Sequence, residues 1–153
     1  MTPLSESKTA LDLAVAPPAP YTVRFVLTIP IIYLGIPVFL ALDLFLALYQ
    51  WLCFPAWKVP RVPRGQYLHF DRSKLPYLNW YQKLNCFYCS YANGLAAYLR
   101  EVAARTEQYW CPIEHRQPPV VAHSRYHRFF AHGDADGFRR RMEAVRDDFS
   151  DLD

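Results

Sequence analysis

The chain has 153 residues, of which 52% are hydrophobic and 20% charged, and its net charge is +3. This composition excludes a disordered chain, a collagen-like chain and a disulfide-dense secreted miniprotein. The small net charge gives no indication of a nucleic-acid partner. The charges are unevenly distributed, because Asp43 is the only charged residue between Arg24 and Lys58.

The apolar run over residues 25–57 is longer than the roughly 20 residues that cross a bilayer as a helix. Two prolines and a glycine interrupt it between residues 30 and 37, and these residues disfavour one straight helix. Two arrangements fit this run: a kinked or interfacial lead-in followed by a single span from residue 36 to about residue 54, or a re-entrant hairpin with its tip at residues 35–37. The single span is favoured because a lipid-exposed turn leaves backbone groups unsatisfied.

The charges that flank the apolar run predict its orientation. Two cations precede the run and five follow it within residues 58–74, so the positive-inside rule places the C-terminal domain in the cytoplasm. Lys58, Arg61 and Arg64 recur every third residue between prolines, and a polyproline II helix has three residues per turn. These three cations are therefore predicted to contact anionic lipid headgroups, at about 1 kcal/mol for each cation. An ordinary stop-transfer cluster is the alternative interpretation.

Asp43 is an acidic residue inside the apolar run. A carboxylate near the middle of a bilayer costs about 2.5–3.5 kcal/mol on insertion scales. We therefore expect Asp43 to be protonated, to lie near an interface, or to face a polar group of a partner. A contact with a partner helix is favoured over a proton relay, and the partner is expected to be another membrane protein or a second copy of the chain.

Composition changes divide the chain into five segments and predict a mainly α-helical fold. These are an N-terminal tail (1–22), a membrane anchor (23–57), a basic proline-containing linker (58–75), a Cys/His- and aromatic-rich helical domain (76–133), and an amphipathic C-terminal helix with an acidic tail (134–153).

Local spacing predicts where the helices of the C-terminal half begin and end. Apolar spacing predicts one helix over residues 93–109, capped by Asn93 or Ser90, with an amphipathic helix before it. The final helix is predicted to begin near Asp134.

Three cysteines and a histidine form the pattern C-x2-C, spacer, C-x3-H: Cys86, Cys89, Cys111 and His115. Three thiolates and one imidazole make a closed tetrahedral zinc site, and in a reducing cytoplasm a metal explains such cysteines better than disulfides do. A helix over residues 93–109 is about 24 Å long, so closure within one chain requires a shorter helix. Otherwise two antiparallel chains share two sites.

Two further interpretations of the cysteines stay open. They are buried cysteines of an aromatic core, or a redox-active C-x-x-C pair with iron or an iron–sulfur cluster as the alternative metal. His123 and His127 lie beside arginines, which predicts a solvated or headgroup-facing segment rather than a metal site.

The sequence contains no G-x-S-x-G, P-loop, G-x-G-x-x-G or H-E-x-x-H motif, so an enzyme is not favoured. The sequence predicts a membrane-anchored accessory or interaction protein, with a small helical cytoplasmic domain stabilised by a Cys3His zinc site. The alternative is a membrane-tethered redox or metal-relay protein that uses the same Cys/His cluster.

Overall fold

The computed structural model describes residues 21–152, so nearly all of the predicted N-terminal tail lies outside the described residues. Within these described residues, four α-helices follow one another: α1 (Tyr21–Tyr33), α2 (Gly35–Trp57), α3 (Trp80–Trp110) and α4 (Ala135–Asp147). Short 3-10 turns lie at Arg64–Gln66, Asp71–Lys74, Tyr126–Arg128 and Ser150–Leu152. Within residues 21–152 the only β-type pairing is an isolated bridge between Ile113 and Phe130. The predicted mainly α-helical fold is confirmed.

The chain divides into two compact units, and the second begins at Phe39, inside α2. In the first unit Leu34 alone separates α1 from α2, and its N–H donates a 3.0 Å hydrogen bond to the Pro30 carbonyl. Pro37 is the third residue of α2, where a backbone N–H has no partner in the helix, so its missing donor costs little. Residues 35–37 are therefore helical.

The helical run Val26–Trp57, which joins most of α1 to α2 across Leu34, is long and apolar enough to cross a membrane, by length and composition alone. This agrees with the predicted anchor in its coarse form, a single apolar helical segment near the N-terminus.

In the second unit α2 and α3 run parallel to each other. The Phe39 ring lies 6.0 Å from the Tyr88 ring, and the Trp57 ring stacks 5.4 Å from the Tyr109 ring. The residue later in α2 contacts the residue later in α3, so the two helices point the same way. The linker between them must therefore carry the chain back along their length. The 3-10 turns of this return segment lie over one side of α3.

The hydrophobic core of the second unit lies between these two helices and the return segment. α2 contributes side chains four residues apart, and α3 contributes side chains at helical spacing. The buried apolar side chains of this core are Leu46, Phe54, Val59, Val62, Leu68, Tyr91, Leu95, Tyr98, Val102 and Phe149.

α3 is a single helix of 31 residues, so the prediction of two helices in this region is wrong. Its N-cap is Asn79, whose side chain accepts from the Gln82 N–H at 2.8 Å while the Gln82 side chain accepts from the Asn79 N–H at 3.0 Å. Ser90 and Asn93, the expected caps, both lie inside the helix. A capping box satisfies two orphan donors at a helix start, which is why α3 begins at residue 80.

The final helix begins where the sequence predicts. Asp134 is the N-cap of α4, and its carboxylate accepts the Gly137 N–H at 2.8 Å. The end of α4 is held to α3 by Gln108, whose buried side-chain amide donates to the carbonyls of Val145 and Asp148 at 2.9 and 2.7 Å. The C-terminal segment is therefore part of the second unit's packing.

Candidate functional site

Asp43 lies on α2 and is bound by two residues of the same chain. The Arg64 guanidinium donates from Nε to Oδ1 at 3.0 Å and from Nη2 to Oδ2 at 2.6 Å, and the Tyr91 hydroxyl donates to Oδ2 at 3.0 Å. This forked contact engages both carboxylate oxygens. The linker and α3 of the same chain thus supply polar groups to Asp43, and a contact between Asp43 and a partner helix stays a prediction.

The electrostatics of this cluster follow from its geometry. The Asp43 side chain is only 14% exposed, whereas the Arg64 side chain is 48% exposed. The hydrogen bonds to Asp43 raise the pKa of Arg64, so this guanidinium stays charged. Burial raises the pKa of Tyr91, and its hydrogen bond to Asp43 raises it further, which keeps the phenol protonated as a donor.

Gln50 forms a second polar contact on the same face of α2, seven residues after Asp43. Its side-chain amide donates to the Tyr98 hydroxyl, and its side-chain carbonyl accepts the Val62 N–H at 2.7 Å. Gln50 is not among the site residues predicted from the sequence. The signal was present, since two polar side chains seven residues apart in an apolar helix lie on one face.

The basic linker shows the threefold pattern that its sequence predicts. Val59 and Val62 are buried, whereas Lys58, Arg61 and Arg64 are exposed. Lys58 has a positive φ of 57°, the left-handed conformation that commonly follows the last turn of a helix. Of these three cations, Arg64 is the one whose side chain binds Asp43. Binding of lipid headgroups by these residues stays a prediction.

The four predicted zinc ligands do not come together within one chain. Cys86 and Cys89 lie on α3, and Cys111 follows its last residue. The 22 residues of helix from Cys89 to Cys111 rise about 33 Å at 1.5 Å per residue. His115 stacks against Tyr126, with ring centroids 6.4 Å apart. In the described part of the chain no group of three or more His, Cys, Asp or Glu side chains is placed to hold a metal ion.

The zinc site therefore does not fit a single chain, because one long helix replaces the short one that closure requires. A site shared between two antiparallel chains stays a prediction.

His123 is more enclosed than its sequence neighbours suggest. Its ring is 14% exposed, and Nε2 lies 3.1 Å from Glu107 Oε2, an ion-pair distance without the alignment of a hydrogen bond. Its Nδ1 accepts the Arg125 N–H at 3.2 Å. Burial lowers the pKa of His123, and the nearby Glu107 carboxylate opposes this shift only in part. A cavity of about 190 Å³ adjoins this pair and is also lined by His115 and Tyr126.

Arg125 is a buried charge with a structural role. Its side chain is 2% exposed and donates to the Gln108 side-chain carbonyl at 2.8 Å. It also lies 3.4 Å from Glu101 and 3.3 Å from Asp151, with its guanidinium 5.0 Å above the Phe149 ring centroid. These contacts join the C-terminal turn to α3, and removing one partner of such a pair is strongly destabilising.

No protein-family model, curated protein or solved structure matches the chain. Function is therefore inferred from the residues and contacts described above. Of these, the Asp43–Arg64 pair and the exposed apolar surfaces of the helices bear most directly on function.

We expect Asp43 and Arg64 to be energetically coupled. Asp43→Asn and Arg64→Gln should each lower the free energy of unfolding, and the double variant should be less destabilised than the sum by about 1 kcal/mol, a value that allows for the half-exposed guanidinium. Thermal unfolding in detergent, followed by circular dichroism, measures this coupling. Arg61→Gln, an exposed cation of the same linker, is the matched control and should show no coupling to Asp43→Asn. Additive effects of the Asp43 and Arg64 changes would contradict the pairing.

We expect His123 to make the protein less stable as the pH falls. Its folded-state pKa is below the ordinary value of 6.5, so near pH 6 the unfolded chain binds a proton that the folded chain does not. Linkage then requires the free energy of unfolding to decrease as the pH falls through about 6.5. His123→Gln should make this pH dependence shallower in denaturant titrations, whereas His127→Gln, at an exposed position, should leave it unchanged. Equal pH dependence in the wild type and His123→Gln would refute the assignment.

Proposed function

We propose that the chain is a membrane-anchored accessory protein whose helical domain is held close to the bilayer and contacts a partner there. One observation carries the proposal: α2 belongs both to the apolar run and to the core of the second unit. One face of α2 packs on α3, whereas the opposite face is apolar and exposed. The exposed apolar side chains of this face, named the α2 stripe, are Leu40, Leu44, Phe45, Leu48, Trp51 and Leu52.

The charges in the second half of α3 support a position outside the hydrocarbon for the end of α2. The Tyr49 hydroxyl lies 3.1 Å from the Thr106 hydroxyl, and the α3 segment 100–107 carries two arginines and two glutamates. Such charges are rare in hydrocarbon because of their insertion cost. The end of α2 therefore belongs on the aqueous side.

The residues before Asp43 suffice for the crossing. Residues 25–42 are 18 in number and rise about 27 Å as a helix, within the usual range for a span. We therefore propose a span over these residues rather than over 36–54. In this position the Asp43–Arg64 pair lies at the membrane interface, where water and headgroups reduce the cost of the charges.

The orientation and the partner are the other parts of the proposal. The excess of cations after the run supports a domain on the cytoplasmic side. The α2 stripe supports a helical partner, either another membrane protein or a second copy of the chain, because contiguous exposed apolar surface marks interaction sites. No catalytic role is proposed.

The metal-relay alternative depends on a metal site that a single chain does not form. Elemental analysis of the detergent-purified protein separates the two functions. One tightly held zinc per chain in a dimer supports the accessory protein with a shared structural site, whereas exchangeable metal or an iron–sulfur absorbance supports the relay.

The anchor predicts that the protein stays in the membrane pellet after high-salt and alkaline washing, because apolar burial rather than charge holds it there. In intact cells the exposed thiols of Cys89 and Cys111 should react with an impermeant maleimide only after permeabilisation. Labelling after permeabilisation is the control for thiol reactivity. Release by alkaline washing would refute the anchor, and labelling of either cysteine in intact cells would reverse the orientation.

The partner surface predicts that truncating the α2 stripe weakens assembly. Leu44→Ala combined with Leu48→Ala should lower the association constant about thirtyfold, since each of the two truncations at an interface costs about 1 kcal/mol. Chemical cross-linking in native membranes followed by mass measurement reports the assembly. The matched control replaces Val120 and Val121, two exposed loop valines, with Ala and should leave assembly intact. Unchanged cross-linking in the Leu44/Leu48 variant would exclude the α2 stripe as the partner surface.

A further inference from the structure

The cavity of about 190 Å³ beside His123, here named the loop cavity, lies between α3 and the loop of residues 115–126. Arg100 and Glu107 both line it and lie seven residues apart on α3, so they share one face of that helix. This face is opposite the one that packs on α2, because Tyr98, which contacts α2, lies two residues before Arg100. The loop cavity therefore belongs to the second unit alone and does not depend on the proposed anchor.

The wall of the loop cavity carries hydrogen-bond donors that lack acceptors. Because Nδ1 of His123 accepts the Arg125 N–H, the neutral ring carries its proton on Nε2. The Tyr126 hydroxyl accepts the His115 N–H at 2.9 Å, which leaves its own proton to donate. Neither Nε2 nor the hydroxyl proton has an acceptor among residues 21–152. Enclosed donors of this kind are costly unless a bound molecule accepts from them.

Two opposite charges also line the loop cavity. The Arg100 guanidinium is held beside the loop, because its Nη2 donates to the carbonyls of Val121, at 3.0 Å, and Ala122. The Glu107 carboxylate lies 3.1 Å from His123 Nε2 and forms no aligned hydrogen bond with it. A ligand with a single charge would place that charge near a like charge of the wall. A ligand with both charges matches the wall at both groups.

The rest of the wall is apolar and limits the size of the ligand. Ala103, Ala104, Pro119 and Val121 supply this part of the lining. The cavity is smaller than the roughly 300–1,000 Å³ of sites for drug-sized molecules. The wall therefore suits a compact ligand with a short apolar group.

We propose that the loop cavity binds a small zwitterion, an α-amino acid with a short branched apolar side chain. The ligand carboxylate accepts from the Tyr126 hydroxyl, the His123 Nε2–H and the Arg100 guanidinium. The ligand ammonium donates to Glu107, and the ligand side chain contacts the apolar part of the wall. Each unsatisfied donor and each charge of the loop cavity then has a partner. The accessory protein thereby gains a ligand site that is separate from its partner surface.

Titration of the full-length protein in detergent with L-valine, followed by NMR of the histidine rings, tests this inference. His123→Gln assigns the His123 signal by its loss. Millimolar L-valine should shift the His123 signal until the site saturates. The signal of His69, an exposed residue of the return segment, should stay unchanged. Isovalerate and isobutylamine keep the valine skeleton but lack the ammonium and the carboxylate respectively, so each should bind about tenfold more weakly.

Variants of the wall identify the groups that hold the ligand. Glu107→Gln preserves the shape of the side chain and removes its charge, so it should weaken L-valine binding about tenfold. Tyr126→Phe removes one donor and should also weaken binding, which provides a second variant if Glu107→Gln does not fold. Glu143→Gln, at an exposed glutamate of α4, is the matched control and should bind as the wild type does. Thermal unfolding without L-valine measures whether each variant is folded.

The outcomes separate an amino-acid site from the alternatives. A saturable shift of His123 that requires both charges of the ligand, and that Glu107→Gln weakens, supports the proposal. A His123 signal that L-valine does not shift overturns it and leaves the loop cavity to water. Equal binding of isovalerate and L-valine would mean a site for anions, and equal shifts of His123 and His69 would mean a general effect of the solute. Either result contradicts the proposal.

Discussion

The structure depends on one helix, α2, that belongs both to the apolar run and to the core of the second unit. From Phe39 onwards α2 buries Leu46 and Phe54 against α3, and each such side chain contributes about 1.5–3 kcal/mol when fully removed from water. The packing of α2 on α3 therefore makes the last part of the apolar run a component of the helical domain's core.

The two polar side chains on the buried face of α2 determine how the return segment lies. An apolar helix packed on another apolar surface has little to define its rotation, whereas Asp43 and Gln50 each require specific partners. Asp43 binds Arg64, and Gln50 binds the Val62 backbone and Tyr98. The linker is thereby held across α2 at two points. The basic linker thus has a packing role as well as the headgroup role that its sequence suggests.

Local signals in the sequence predicted the helical class, the apolar segment and the start of α4. Asp134 was identifiable because a cap acts on residues three positions away. The continuous α3 was missed because its capping box lies at Asn79, upstream of the aromatic cysteine-rich stretch, and Asn93 inside the helix resembles a cap. The Asp43–Arg64 contact joins residues 21 apart across a change of chain direction, which local patterns do not encode. The C-x2-C and C-x3-H spacings are also local patterns, and they do not report the length of the helix between them. That helix holds the two pairs of predicted zinc ligands apart.

The most direct measurement of the shared role of α2 is a nitroxide scan of residues 39–57 in lipid vesicles, with accessibility to oxygen as the readout. Oxygen collides freely with labels on exposed or lipid-facing positions and poorly with buried ones. If one face of α2 packs on α3, the oxygen accessibility of the labels should oscillate with a period of 3.6 residues. The minima should fall at Leu46, Gln50 and Phe54. Uniformly high accessibility through residue 54 would mean that lipid surrounds the helix on every side, and would contradict the account.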